Sequence, residues 1–164
     1  MIETDIRTLG FNPFDKIGKE WFLIAAGDSD GYNMMTASWG FMGVMWGKPS
    51  VQIVVRPTRY TYDFLNKHDI FTLSWFDEKY RDALSFCGSN SGRDVDKTEK
   101  TGLTPVFTDG SVAFAESSLT LVCRKVFTMP MDKNGLDESV DAKWNSKDPI
   151  HCEFIGEIIK VYEG

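Results

Sequence analysis

Short apolar segments with a two-residue alternation recur along most of this chain, and they constrain its fold more than any other feature. In one segment, Leu119, Leu121 and Cys123 fall on one face of an extended chain, while Thr120 and Val122 fall on the other. Strands are predicted at residues 21–26, 33–41, 50–55, 70–76, 112–115, 118–129 and 152–162. About seven strands at such close spacing predict a mainly β protein with an antiparallel barrel.

The helical segments between these strands are few and short. Helices are predicted at residues 60–67, 78–87 and 94–101, with Thr58 as N-cap of the first, Gly88 as the stop of the second and Gly102 as the stop of the third. A parallel βαβ sheet would need longer helices, and no G-x-G-x-x-G run follows a strand. The polar residues 132–149 are predicted to form a long surface loop. Since no linker or repeat divides the chain, residues 1–164 are predicted to form one domain.

The balance of charges excludes several classes of partner. The chain has 24 acidic and 18 basic side chains and a formal net charge of −6, so phosphate backbones and anionic lipids repel it. Neither nucleic acid nor a membrane is therefore expected as a partner. The first twenty residues are too rich in charge for a signal peptide. Cys87, Cys123 and Cys152 are far apart and show no zinc-ligand spacing, which predicts reduced thiols, a cytoplasmic protein and no metal site.

One segment of this acidic chain is free of negative charge. No Asp or Glu lies between Asp30 and Asp63, whereas Lys48, Arg56 and Arg59 do. The two arginines stand where a predicted strand ends and a predicted helix begins. Guanidinium groups and the free amides of a helix N-terminus both bind phosphate, so this junction is a candidate anion site. The alternative is a pair of ordinary surface arginines without partners.

Two further segments suit a ligand that is flat in one part and anionic in another. Along the strand at residues 33–39, Thr36 and Ser38 lie on one side, and Met35, Ala37 and Trp39 on the other. Hydroxyls beside Met and Trp suit a mostly apolar ring with a polar edge, although a half-buried strand facing water would show the same pattern. The Gly/Ser-rich run at residues 89–97 could cradle an anion or form a plain turn.

The usual catalytic constellations are missing. The only histidines are His68, at a predicted helix end, and His151, at the start of the last strand, and neither has a nucleophile motif nearby. Asp94 and Asp96 point apart in a strand or a helix and do not form an acid–base pair. No catalytic side chain is therefore predicted.

Taken together, these segments resemble the flavin reductase-like family with the FMN-binding split-barrel fold, which includes flavoredoxin-type proteins. The runs that carry the resemblance are N-x-M-T-A-S-W-G at 33–40, K-P-x-V-Q-I-V-V-R-P-x-R-Y-T at 48–61 and S-G-R-D-V-D-K at 91–97, with F-I-G-E-I at 154–158 as a weaker echo. The ordered pair of the first two runs is the specific part of the match.

The resemblance implies an antiparallel, Greek-key split β-barrel with a few short helices, assembled as a homodimer that binds FMN near the subunit interface. The residues that it implies for the cofactor are Thr36, Ala37, Ser38 and Trp39 at the flavin and its ribityl-phosphate chain, Arg56, Arg59, Tyr60 and Thr61 at the phosphate, and Ser91, Arg93 and Lys97 as contributors.

The resemblance also implies a flavin reductase that takes electrons from NADH or NADPH and passes them through FMN to a small-molecule or protein acceptor. A flavin carries out its own redox chemistry, which agrees with the missing catalytic side chains. Two alternatives remain at this stage. One is a flavoredoxin-like electron carrier that uses NAD(P)H poorly, and the other is a non-enzymatic barrel that binds another aromatic or tetrapyrrole ligand.

Overall fold

The computed structural model describes residues 1–164, which form ten strands and five α-helices. The strands are β1 (Ile2–Thr4), β2 (Phe22–Asp28), β3 (Gly31–Ala37), β4 (Gly40–Met45), β5 (Lys48–Val55), β6 (Ile70–Phe76), β7 (Pro105–Thr108), β8 (Ser111–Phe114), β9 (Ser117–Pro130) and β10 (Cys152–Glu163). The helices are α1 (Pro13–Gly18), α2 (Tyr60–Lys67), α3 (Arg81–Ser89), α4 (Lys97–Thr101) and α5 (Glu138–Trp144), and three 3₁₀ turns lie at Ile6–Thr8, Glu78–Tyr80 and Lys133–Gly135.

The main sheet rolls into a barrel that is open along one seam. Seven strands follow each other in the order β3-β2-β6-β9-β10-β5-β4, all antiparallel, with β1 added beside β10. The two end strands, β3 and β4, are joined by only Ser38 and Trp39, so the ends of the sheet must curl toward each other. Because the chain runs from β5 through β6 and β9 before β10 returns to lie beside β5, the order is a Greek key. This confirms the predicted mainly β, antiparallel split barrel.

Two apolar cores hold β2, the neighbour of the end strand β3, from both faces. Successive residues of a strand point to opposite faces, so Ile24 enters the barrel interior with Phe71 and Trp75. Leu23 points outward and packs with Leu84 of α3 and the small β7–β8 ribbon. Burial of each such side chain stabilises the fold by about 1.5–3 kcal/mol. The β2–β3 hairpin is thereby packed against α3, and this packing positions the loop that follows α3.

Most elements lie where the sequence predicts them. The bounds of α2 and β6 agree with the predicted 60–67 and 70–76, and the hairpin of β2 and β3 turns at Ser29 and Asp30. Gly102 ends α4 in the left-handed conformation at φ 72°, which glycine adopts without steric cost.

Several predictions are wrong in detail. The strand predicted at 33–41 is two strands, since the chain leaves β3 at Ser38 and Trp39 to cross the seam. Arg59, not Thr58, is the N-cap of α2 and makes no side-chain capping bond, while Gly88 lies inside α3. The loop predicted at 132–149 contains a 3₁₀ turn and α5, which begins where Asp137 accepts a hydrogen bond from the amide of Ser139. The short elements β1, β7 and α1 are not predicted at all, and only the first two residues of β4 fall within a predicted strand.

The three cysteines are free thiols buried in different parts of the fold. Burial raises the pKa of Cys87 to about 11 and raises the pKa of Cys123 further. Both thiols are therefore protonated at neutral pH and are poor nucleophiles. None of the helices has the length and apolar character that crossing a bilayer would require.

Candidate functional site

A small, strongly polar cavity lies where α2 begins and α3 ends. We call it the polar cavity, and its volume is about 140 Å³. Its walls are the start of α2 at 58–61 and the segment at 88–92, which spans the end of α3 and the loop after it. Lys97, the first residue of α4, and Asn33 of β3 complete the lining. The first amides of α2 lack intrahelical acceptors, so this end of the helix attracts anions.

A second cavity lies directly beside the polar cavity. It has a volume of about 260 Å³ and is bounded by residues 35–39 at the end of β3, by Val54 and Arg56 at the end of β5, and by His151. We call it the strand cavity. Arg59 lines both cavities, so its guanidinium stands at the boundary between them. The walls of the strand cavity combine apolar side chains with the hydroxyls of Thr36 and Ser38.

Two cations approach the polar cavity without a carboxylate partner. Lys97 is only 4% exposed, and its Nζ donates to the backbone oxygens of Met34 (2.8 Å) and Cys87 (2.9 Å), which uses two of its three donors. Arg59 donates from Nη2 to the oxygen of Gly88 at 2.9 Å. No ion pair in the structure includes Arg59 or Lys97. The pair therefore carries a positive charge that the protein itself leaves uncompensated.

Burial lowers the pKa of both cations. The pKa of Lys97 falls to about 8, mainly because burial removes water from its ammonium group and also because Arg59 is a neighbouring cation. Burial likewise lowers the pKa of Arg59. A bound dianion would relieve both effects, since an opposite charge stabilises the protonated forms. The electrostatics of the polar cavity thus favour a phosphate group.

Gly88, near the end of α3, and Gly92, in the loop after it, allow this close packing. A Cβ on Gly92 would lie 2.0 Å from Oδ1 of Asn33, a buried residue whose Nδ2 donates to Thr61 at 2.8 Å. A Cβ on Gly88 would lie 3.3 Å from Cβ of Thr36, whose hydroxyl donates to the backbone oxygen of Leu84 in α3. A side chain at position 92 would displace Asn33, whereas one at position 88 would require only a small shift of Thr36.

The structure brings ten of the eleven predicted cofactor-binding residues to these two cavities. The strand cavity is lined by Thr36, Ala37, Ser38, Trp39, Arg56 and Arg59, and the polar cavity by Arg59, Tyr60, Thr61, Ser91 and Lys97. Arg93 lines neither. Its guanidinium stacks on the Tyr60 ring, 4.5 Å from the centroid, and pairs with Asp63 at 2.7 Å. It therefore covers the outside of the Tyr60 ring and is already neutralised by a carboxylate.

Arg56 lies at the strand cavity but is largely occupied by other contacts. Its guanidinium donates to the backbone oxygens of Trp144, at the end of α5, and Pro149. The partial negative charge at a helix C-terminus stabilises a cation there. Arg56 thus fastens the segment at 132–149 over the barrel, in addition to bordering the cavity.

The sequence analysis missed His151 as a residue of this site. The last residue of β5, Val55, pairs with the first residue of β10, Cys152. His151, just before β10, therefore lies near Arg56, just after β5. Burial and the nearby Arg56 lower the pKa of His151 to about 4, so its imidazole is neutral at physiological pH. No local motif marks His151, because only the pairing of β5 with β10 brings it to Trp39. Asn33, by contrast, belongs to the 33–40 run and could have been included from it.

The comparisons with known proteins agree with this architecture. The family model for the flavin reductase like domain matches residues 14–164. No curated protein matches the sequence.

Several solved structures share the fold. Flavoredoxin of Desulfovibrio vulgaris (Miyazaki F) is 23% identical with a TM-score of 0.70, over 99% of this chain and 77% of that chain. An FMN-binding protein from Thermus thermophilus, with bound 1-cyclohex-2-enone, is 19% identical with a TM-score of 0.70, over 98% of this chain and 80% of that one. The NADH:FAD oxidoreductase SgcE6 of Streptomyces globisporus C-1027, in complex with NAD and FAD fragments, is 18% identical with a TM-score of 0.67, over 88% and 74% of the two chains.

Proposed function

The chain belongs to the flavin reductase-like domain family, and from that premise we propose that it binds FMN and acts as an oxidoreductase that accepts hydride from NADH or NADPH. The family membership supports a redox function that works through a flavin. The choice of FMN and of a nicotinamide donor is our proposal. It draws support from the two adjoining cavities and from related folds described with FMN, or with NAD and FAD fragments.

The observation that carries the proposal is the pair of unpaired cations at the polar cavity. Lys97 is buried and Arg59 is partly buried, and neither has a carboxylate partner. Two neighbouring cations that are withdrawn from water are costly unless an anion compensates them, although the chain as a whole is acidic. A phosphate monoester matches the cations, and the strand cavity beside it suits the ring of the same ligand.

The residues of the two cavities fit distinct parts of FMN. Arg59, Lys97 and the first amides of α2 would hold the phosphate, with Ser91 and Thr61 in the same wall. Thr36, Ala37, Ser38 and Trp39 would border the ring and the ribityl chain. When bound, the flavin supplies the hydride and electron chemistry. The side chains of this protein bind it, orient it and limit the access of water, and the neutral imidazole of His151 adds no charge beside the ring.

We expect the purified protein to take up added FMN and to retain its visible flavin absorption through gel filtration. Anaerobic addition of NADH or NADPH should then bleach that absorption, which would establish nicotinamide-linked reduction. Bound FMN that resists NAD(P)H, yet is reduced by a protein donor, would favour an electron carrier instead. A protein that takes up no FMN would refute the proposal, and a different ligand identified by mass spectrometry would favour the non-enzymatic barrel.

We also propose that the chain is a homodimer, and that the β4–β5 hairpin forms part of the subunit interface. Three large apolar side chains of this hairpin face solvent: Phe41 (70% exposed), Val44 (75%) and Trp46 (66%). Large apolar side chains that are this exposed are often covered by a partner in protein interfaces. The first residue of β4 directly follows Trp39, so an interface here would lie next to the strand cavity.

Val44→Glu should shift the protein from dimer to monomer in light scattering coupled to gel filtration, because it buries a charge in an apolar interface. The control is Ile2→Glu, which changes a side chain of similar exposure (76%) on β1. We expect this control to stay dimeric. A wild-type protein that is monomeric at all concentrations tested would contradict the proposal.

A further inference from the structure

A third cavity lies between the barrel and the segment that contains α5, and neither the proposed FMN site nor the sequence motifs account for it. Its volume is about 350 Å³, and seven of its nine lining residues are hydrophobic. We call it the apolar cavity. Val140 and Trp144 of α5 form its outer wall, with Leu136 before the helix, and Trp39 and Val54 form its floor.

The apolar cavity offers no charge to a ligand. None of its lining residues is Lys, Arg, Asp or Glu. Its two polar residues are Asn145 and His151, and the amide of Asn145 is partly used, since Oδ1 accepts from Arg56 and Nδ2 donates to Asp141. His151 is neutral at physiological pH. The imidazole of His151 can therefore exchange a hydrogen bond with a ligand without carrying a charge, and the indole N–H groups of Trp39 and Trp144 are further donors in the lining.

The walls of the cavity are aromatic. Trp39 and Trp144 meet edge to face with their ring centroids 4.8 Å apart, and His151 lies 5.5 Å from the Trp39 ring. Aromatic rings pack well against such surfaces. The volume lies at the small end of the range for small-molecule sites, about 300–1,000 Å³, and so suits one or two fused rings rather than a dinucleotide.

The apolar cavity adjoins the strand cavity. Trp39, Val54 and His151 line both of them. A ligand in the apolar cavity would therefore lie beside the group that occupies the strand cavity, which under the proposed function is the flavin ring. Arg56 fastens the outer wall to the barrel through the carbonyls of Trp144 and Pro149.

We propose that the apolar cavity binds an uncharged aromatic carbonyl compound of one or two rings, such as a quinone, as the second substrate of the site. A quinone would gain two electrons and two protons and leave as the hydroquinone, with the electrons coming from the proposed NAD(P)H donor by way of the flavin. The assignment of this ligand as a substrate rests on the proposed function, whereas its binding depends on the cavity alone. The absence of any cation in the lining disfavours the pyrophosphate of a dinucleotide at this position. The segment at 132–149, with five acidic and three basic residues, also repels anions.

The test is a titration of the FMN-saturated protein with menadione, an uncharged naphthoquinone, followed by tryptophan fluorescence without any reductant. We expect saturable quenching, and at least about tenfold weaker binding of the anionic menadione sulfonate, because the cavity would have to desolvate its charge. This comparison uses the unaltered protein and does not depend on a variant that folds. Equal affinity for the two compounds, or equally effective competition by nicotinamide mononucleotide, would overturn the proposal.

A pair of variants locates the binding. Val140→Glu places a carboxylate in the outer wall and should weaken menadione binding by about tenfold or more. Val140→Leu keeps the wall apolar and should bind within about twofold of the wild type. A separate FMN titration of each protein distinguishes the two proposals. FMN binding without menadione binding would overturn only the present inference, whereas menadione binding without FMN binding would overturn the proposed function.

Discussion

Replacing Arg59 with alanine will weaken FMN binding by about 10- to 100-fold and leave riboflavin binding nearly unchanged. The guanidinium lies at the boundary of the polar and strand cavities and has no carboxylate partner, so its full charge is available to a phosphate. A charge-assisted hydrogen bond that is lost from a partly buried site costs about 1.5–3 kcal/mol, which corresponds to this change in affinity. Riboflavin has no phosphate and does not use the interaction.

The measurement is the dissociation constant of each flavin, from the quenching of its fluorescence. Arg59→Lys keeps the charge but loses the planar fork of donors, so we expect a partial recovery. Arg93→Ala is the matched control, because Arg93 is paired with Asp63 and lines neither cavity. Its loss should change FMN affinity by less than about threefold. If Arg59→Ala weakened both flavins equally, the side chain would act by holding Gly88 and the loop rather than by binding phosphate.

The sequence predicts the fold well because the strands carry their own signal. The alternation around Leu119, Leu121 and Cys123 is a property of adjacent residues, and β9 forms where this pattern predicts it. Short edge elements such as β4 and β7 carry little alternation, and they become strands because a neighbouring strand offers hydrogen-bond partners. Whether the sheet is open or rolled depends on which strands pair, and the local sequence does not reveal this. For example, β5 pairs with β10 although 96 residues, 56–151, separate them.

The residues of the candidate site likewise fall into two groups, those that the local sequence predicts and those that only the fold brings to the site. Thr36, Arg59 and Lys97 belong to local runs whose composition indicates an anion or a ring, and all three line the cavities. The contacts of Arg56 with α5 could not be predicted, because the segment at 132–149 gives no sign of where it folds back. The same holds for His151, which reaches the site through the register of β10. The charge and chemical character of a residue can be read from the local sequence, whereas only the fold determines which residues meet in one site.

Raising the pH from about 7 to about 9.5 will weaken FMN binding by about 30-fold, and Lys97→Met will remove this dependence. The pKa of Lys97 is lowered to about 8 because the ammonium group is buried and lies near Arg59, so the ligand-free protein loses this proton above that pH. A phosphate, whose second ionisation lies near pH 6, is already a dianion and would keep the ammonium protonated in the complex. Binding then requires proton uptake, and affinity falls by up to about tenfold for each pH unit above the pKa.

The neighbours of Lys97 do not produce the same effect. The pKa of the Cys87 thiol is raised to about 11, so this thiol stays neutral over most of the range, and a guanidinium such as that of Arg59 stays charged. Riboflavin is the ligand control and should bind with little pH dependence. A decline of equal size for FMN with Lys97→Met would show that another group is responsible.

The stability of the ligand-free protein should change with pH in the opposite sense. The pKa of Lys97 in the folded chain, about 8, lies below its ordinary value of 10.5, so between these values the unfolded chain binds more protons. The contribution of Lys97 to the free energy of unfolding therefore rises with pH, by about 2 kcal/mol between about pH 7 and 9.5. Urea unfolding of the wild type and of Lys97→Met at these two pH values measures the difference. Alkaline damage would lower both FMN affinity and stability as the pH rises. The loss of a proton from a buried ammonium group that faces a phosphate would instead lower FMN affinity and raise the stability of the ligand-free protein. Stability that falls relative to Lys97→Met over this range would therefore rule out a buried, charged Lys97 at the polar cavity.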